Sequence, residues 1–389
     1  MVEMSYRFFF RAFTFLALLT IFSFGLYEES TLNAVNPPAP LIKDFLAPLF
    51  FSLRDSLFFM MLLYVVIYGI IYRKLPVLFP IIYTLAIIHY LISLKTMAYA
   101  GVLSLELMRG SFGIIVVATF FSLLSRSLSY EEVKKISFYT LLLTLILTVI
   151  SIDFSNIFGV PRYQFQFGNP NFAGVFLVSI FCFFSVFYEI SNVRDKFFLF
   201  IAFSVVLLLV LMTGSRTAIT GLLFLLVLQL WRRPSIAKGV FASAIILSVT
   251  LYILLATDYW AGRDNRFDLW GRAFSSSSFS LLSGGNANEF KASVEGFYVT
   301  LPFTLGFFGL LLLFVFLFQS GVMLLRLFAF SFRNSAAKGI AIYYMVLLWM
   351  AVFESIFFGV LTPSIVILVM LLGWFRRRMR TAQDQRYIL

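Results

Sequence analysis

The sequence predicts an all-α, polytopic membrane protein of about 12 transmembrane helices, with one large outer loop between the ninth and tenth. Composition is the first reason. Of 389 residues, 61% are apolar and only 12% charged, whereas a soluble domain has about 45–50% and about 25%. Mean hydropathy is +0.97, and so few charges cannot cover a soluble surface. The second reason is that the apolar residues fall in runs of membrane-spanning length. The third is that Lys and Arg collect on alternate connections, as the positive-inside rule expects. The chain reads as a single integral membrane domain, 1–389. One cysteine, Cys182, excludes a disulfide framework and a Cys-based metal cluster. One histidine, His89, excludes a His-rich metal site and leaves little room for a Ser-His-Asp apparatus.

A span needs about 20 mostly apolar residues. Candidates run over 8–26, 55–72, 75–94, 110–125, 136–152, 171–190, 197–213, 216–231, 239–257, 297–318, 339–358 and 363–375. The first is not a cleaved leader, because no small-residue cleavage site follows Phe24-Gly25-Leu26-Tyr27. No internal repeat is visible.

With the N-terminus in the cytoplasm, the inner connections hold 20 of the 30 Lys and Arg and 6 of the 18 acids, leaving 10 and 12 outside. The inner face is then +14 and the outer −2, in agreement with the net +12. Both termini lie inside, and the basic balance marks topology rather than nucleic-acid binding. Three outer segments are long, about 27–54, 153–170 and 258–296, and long loops in compact proteins are functional or disordered. The last mixes charges with Phe, Leu and Trp, so it should fold onto the membrane face.

Four stretches on the outer side carry chemistry. In Thr213-Gly214-Ser215-Arg216-Thr217, Thr213 or Ser215 can cap the eighth helix, whose positive dipole end and Arg216 together make an outward anion site; the plainer reading is a snorkelling arginine. In Phe167-Gly168-Asn169-Pro170-Asn171-Phe172, an Asn cap before Pro starts the sixth helix. Plain capping would explain Asn169, and Asn171 is the excess. Arg263-Asp264-Asn265-Arg266-Phe267-Asp268-Leu269-Trp270-Gly271-Arg272 places Arg266 and Trp270 one helical turn apart. Its three arginines suit a phosphate-rich ligand, while its acids allow a local salt-bridge network. In Val294-Glu295-Gly296-Phe297-Tyr298, Glu295 sits at the outer boundary, where burial would raise its pKa; it could equally favour the helix dipole. Lesser candidates are Arg54-Asp55, an ion pair at the start of the second helix, and Arg109, at the outer start of the fourth. Glu354 reads as an acid deep in the eleventh helix, functional by default. His89 reads as a hydrogen-bonded packing residue and Cys182 as buried and inert.

The order of these motifs resembles the bacterial O-antigen ligase and O-antigen polymerase (Wzy) superfamily. A Gly-Asn-Pro-Asn helix start precedes Thr-Gly-Ser-Arg-Thr. An outer loop with Arg-x-x-x-Trp follows, then a boundary helix ending Leu305-Gly306-Phe307-Phe308-Gly309. The resemblance covers about 160–320 and the hydropathy profile. It implies an inverting glycosyltransferase of the bacterial inner membrane with its site open to the periplasm, using glycans on undecaprenyl diphosphate and needing no cofactor, nucleotide sugar or metal. By motif, Arg216 and Arg266 match the family's essential-looking arginines, with Arg263 and Arg272 as neighbours. Ligases of this kind carry a histidine element before the next helix. Here that place reads Val294-Glu295-Gly296-Phe297-Tyr298, which favours the polymerase and makes Glu295 the substitute base. The expected catalytic residues are Arg216, Arg266 and Glu295. Expected substrate contacts are Arg263, Arg272, Asn169, Asn171, Ser215, Trp270, Tyr298, Arg109 and Arg54, with Tyr163 as a further stacking residue. Expected partners are lipid-linked glycans as donor and acceptor, membrane lipids, a chain-length regulator and a flippase, with no nucleic acid. The ligase, which would use lipid A core as acceptor in lipopolysaccharide synthesis, and a twelve-helix transporter or flippase remain alternative readings.

Overall fold

The computed structural model describes residues 10–12, 14–21, 47–100, 105–125, 128–152, 163, 165, 170–188, 192–230, 266–276, 279–285, 296–331, 335–354 and 363–384. Among these the protein is helical. The helices are α1 (Phe10–Ile21), α2 (Ala47–Tyr72), α3 (Pro80–Ala100), α4 (Leu105–Leu124), α5 (Tyr130–Ile150), α6 (Pro170–Phe187), α7 (Val193–Thr213), α8 (Arg216–Leu230), α9 (Arg266–Phe274), α10 (Phe297–Leu305), α11 (Phe307–Ser331), α12 (Ser335–Met350) and α13 (Pro363–Asp384). The chain is an all-α polytopic membrane protein, as its composition predicts. The expected span over 239–257 lies outside the described residues.

The helices sort by length and by neighbour. Among the described residues, five stretches are long and apolar enough to cross a bilayer: Ser52–Tyr72, Pro80–Ala98, Tyr130–Ile150, Val193–Thr213 and Phe307–Ser331. They carry the exposed apolar side chains, such as Ile70, Phe200 and Phe314, which suits a lipid-facing ring. The centre is built from shorter helices. α6 packs against α5, α7, α8, α12 and α13, and α12 packs against α6, α8, α11 and α13. Both are apolar on every side and buried nearly throughout, the expected condition of a helix with no solvent or lipid face.

Glycine lets these central helices approach. A Cβ on Gly174 of α6 would lie 2.9 Å from Ser215 Cβ and 2.7 Å from Ala218 Cβ of α8. One on Gly339 of α12 would lie 2.8 Å from the Val186 carbonyl of α6, and one on Gly221 of α8 would meet Met350 of α12 at 2.8 Å. Each of the three interfaces therefore holds a glycine. Hydroxyls add polar stitches across buried faces. Ser364 Oγ donates to Ser179 Oγ at 2.9 Å, Gln229 Nε2 to Ser185 Oγ at 3.0 Å, and Ser320 and Tyr344 share a bond of 2.7 Å. Cys182 is buried, and His89 Nδ1 is bonded to Ser111 at 3.2 Å and Ser93 at 3.3 Å, so both are packing residues as expected.

The two ends of the bundle differ. At one end a capping box at Ser129 and Glu132 starts α5, and Lys134 reaches Asp195 of α7 at 3.2 Å. The opposite end carries Arg216 and is termed the site end. There the structure departs from expectation twice. The run 297–318 is not one span: it breaks at Gly306, whose φ of +59 is left-handed. The nine-residue α10, with Pro302 inside it, is a separate element from α11. The run 339–358 is also not one helix, since α12 stops at Met350 and 351–354 form a turn.

Expected outcome: Gly174→Ala forces a methyl between α6 and α8 and destabilises the protein by about 1–3 kcal/mol. Gly321→Ala, where the added methyl would meet nothing within 4 Å, leaves stability unchanged or slightly raised. Thermal unfolding of the two variants in detergent checks this; equal melting would refute close packing at Gly174.

Candidate functional site

The site begins with the turn between α7 and α8. Gly214 takes a left-handed conformation, φ 58, that closes α7. Thr213 Oγ1 donates to the Val210 carbonyl at 2.7 Å and accepts from Ser215 N at 3.2 Å. Ser215 Oγ then accepts from Ala218 N at 3.3 Å, which makes Ser215 the N-cap of α8. Thr213 and Ser215 are fully buried, so their hydroxyls hold the turn. Arg216, half-buried, is the first residue of α8.

Arg216 stands at the N-terminal end of α8 and is half-buried, and a guanidinium so placed in a membrane protein is costly unless it is partnered.

α6 starts beside it. Gly174, one turn beyond Asn171, is the residue that touches Ser215 and Ala218. The half-buried Asn171 therefore lies in the first turn of a second helix whose positive end is at the same place. Asn169 lies outside the described residues. Tyr163 is held by its N–H on the Met212 carbonyl at 2.9 Å. Its ring is buried and stacks on Phe165 at 5.8 Å, so it is a wall residue and not the sugar-stacking ring expected from sequence.

Glu354 is the residue that sequence reasoning misplaced. It is not deep in a helix. It lies in the turn after α12, half-buried, and its Oε1 accepts from Thr217 Oγ1 at 3.2 Å. A carboxylate is thus fixed one residue from Arg216.

The same turn receives the start of α10. Phe297 N donates to the Ala351 carbonyl at 2.8 Å. Gly296 has a φ of +108, and a Cβ there would lie 2.4 Å from the Val352 carbonyl and 3.5 Å from Trp270 Cζ2, so only glycine fits the position. Tyr298 is half-buried and donates its hydroxyl to the Leu348 carbonyl at 2.9 Å, which fixes the ring against α12. Trp270 is half-buried on α9. That helix packs onto α10 through Phe274 and Phe303, ring centroids 5.7 Å apart. Arg266 opens α9 one turn before Trp270, and its side chain lies outside the described residues. Arg272, at the other end of α9, is exposed. Glu295 and Arg263 lie outside the described residues.

Two of the four sequence motifs touch at Gly296 and Trp270, the Thr-Gly-Ser-Arg-Thr motif reaches the same 351–354 turn through Thr217 and Glu354, and α6 packs on that motif at Gly174. Arg54 pairs with Asp55 at 3.6 Å, two turns into α2 rather than at its start, and α2 packs on α4. Arg109 lies in α4, its side chain outside the described residues. Chemically, a cation at a helix N-terminus beside a fixed carboxylate can bind an anionic group and orient a hydroxyl next to it.

No family model matches the sequence, and no curated protein matches it. Among solved structures, a chain described under "Structural coordination of polymerization and crosslinking by a peptidoglycan synthase complex" is 18% identical, covering 77% of this chain and 97% of its own, with a TM-score of 0.44. At that score the likeness carries no weight in assigning a function.

Proposed function

We propose that this protein is a glycan polymerase of the bacterial inner membrane. It joins lipid-linked repeat units of O-antigen, capsule or exopolysaccharide at the periplasmic face, with both chain termini cytoplasmic. The observation that carries the reading is that Thr217, next to Arg216, and Gly296, against Trp270, both contact the turn 351–354 that holds Glu354. The motif order of the O-antigen ligase and polymerase superfamily supports it independently. The donor is a glycan on undecaprenyl diphosphate, and the acceptor is a sugar hydroxyl of a second lipid-linked unit.

In the reaction the acceptor oxygen attacks the anomeric carbon opposite the diphosphate. A new C–O bond forms as the bond from that carbon to the diphosphate oxygen breaks, and the anomeric centre inverts. The acceptor proton passes to a carboxylate, and the diphosphate departs with the bonding pair. Negative charge builds on the leaving group, and preorganised cations in a water-poor site stabilise it most. Arg216 and the α8 N-terminus take this role with Arg266, and Arg263, Arg272, Asn169 and Asn171 complete the anion contacts. Two carboxylates are candidates for the proton, Glu295 by its place in the sequence and Glu354 by its hydrogen bond to Thr217. Trp270 and Tyr298 supply the aromatic surface for the sugars.

A bidentate fork is not replaced by a point charge. Arg216→Lys and Arg266→Lys are each expected to lower polymer formation about 10²–10³-fold, while Arg232→Lys and Arg377→Lys are tolerated because a snorkelling stem needs only reach. Polymer ladders from complemented deletion strains check this. Equal tolerance at all four positions would remove the arginines from the chemistry. Long polymer left on its lipid carrier in the deletion strain would identify a ligase instead.

The carboxylates are separated by Glu354→Gln and Glu295→Gln, assayed in membranes with lipid-linked substrate. Loss of the base costs about 10²–10⁴-fold in turnover with donor binding kept. The larger loss is expected at Glu354. Near-normal polymer from Glu354→Gln would return the role to Glu295.

A further inference from the structure

The geometry points to the turn Ser280–Gly284 as a membrane-docking element that inserts Leu281 and Leu282 among the acyl chains of the leaflet at the site end. This rests on the membrane fold and not on the proposed reaction. The two leucines are 62% and 78% exposed, an unusual display for adjacent apolar residues at the tip of a turn. The turn is held from several sides. Ser280 and Gly284 exchange backbone bonds at 3.3 and 2.6 Å, and Gly285 N donates to the Phe303 carbonyl at 2.7 Å. Lys95 Nζ, from α3, donates to the carbonyls of both Ser283 and Thr304. Phe279 stacks on Phe303 at 5.7 Å with 11° between planes. The leucines are therefore presented by a fixed scaffold.

That scaffold is at the edge of the bilayer. A Cβ on Gly306 would lie 2.6 Å from the Leu282 carbonyl and from Gly284 N, so the turn rests on the break between α10 and α11. From Phe307 to the exposed Arg326 is 19 steps, about 28 Å of helix, close to the about 30 Å of hydrocarbon. With Arg326 at one headgroup layer, Phe307 reaches the opposite edge of the apolar core. Phe307 and Phe308 are 56% and 65% exposed there, and the flank continues down α11 through Leu311 and Phe314. Leu281 and Leu282 extend this lipid-facing flank beyond the helix break. Since α9 packs on α10 through Phe274 and Phe303, a turn seated in the leaflet also sets the height of Trp270 over the site.

The test uses the full chain with Cys182→Ser and one new cysteine, Leu282→Cys or, if that variant does not fold, Leu281→Cys. It is labelled with an environment-sensitive fluorophore and reconstituted at one copy per nanodisc of phosphatidylethanolamine and phosphatidylglycerol. The expected result is blue-shifted emission that is lost when the acyl chains carry nitroxide and is shielded from aqueous iodide. The same label at Ser275→Cys, exposed at the end of α9, should respond to iodide. Iodide quenching at Leu282 equal to that at Ser275 would overturn the proposal. Shielding from iodide without nitroxide quenching would also overturn it, because protein rather than lipid would then cover the turn.

Discussion

In a bilayer, helices gain nothing by hiding apolar surface from one another, because lipid is as apolar as leucine. The structure therefore depends on close backbone approach among α6, α8 and α12. Gly174, Gly221 and Gly339 stand one at each of the three interfaces; an added Cβ would press on Cβ atoms of α8 at Gly174, on the backbone of α6 at Gly339 and on the Met350 side chain at Gly221. Dispersion and inter-helix hydroxyl bonds act only at such distances. The long helices around this centre keep their apolar flanks for lipid.

The same packing explains why a charged site can exist there. The central helices α6 and α12 are surrounded by protein rather than lipid, being buried nearly throughout. Arg216, in the first turn of α8, is half-buried, and a guanidinium so placed needs partners. The α6 and α8 N-termini add positive potential at the same place, and Glu354 is brought to it by a helix that stops at Met350. Arg216 and Glu354 thus share an environment in which Coulombic interactions are less screened than in water.

Above this floor the loop elements are fastened by backbone contacts rather than by a second core. Phe297 N on the Ala351 carbonyl ties α10 to the end of α12, and Gly285 N on the Phe303 carbonyl ties the 279–285 turn to α10. Lys95 joins α3 to both. The aromatic trio Phe274, Phe279 and Phe303 then holds α9 in place. A site assembled this way has a rigid floor in the membrane and a cover secured at its rim.

The sequence by itself determined the class, the all-α character, the capped start of α8 and the helical turn that relates Arg266 to Trp270. These depend on local spacing and on transfer of apolar runs into lipid, and both are written along the chain. It also marked Arg216, Tyr298 and Trp270 as separate candidates. Only the tertiary structure decided that their segments gather around the end of α12, that the Tyr163 ring is buried and that Glu354 belongs with Thr217. It also decided that 297–318 is two helices. The reason is physical. Hydropathy records whether a segment leaves water, and the turns at Gly306 and after Met350 are as apolar as the helices they end. Their position is set by contacts with residues 20 to 140 places distant, such as Leu282 on Gly306 and Thr217 on Glu354, and no local pattern encodes those.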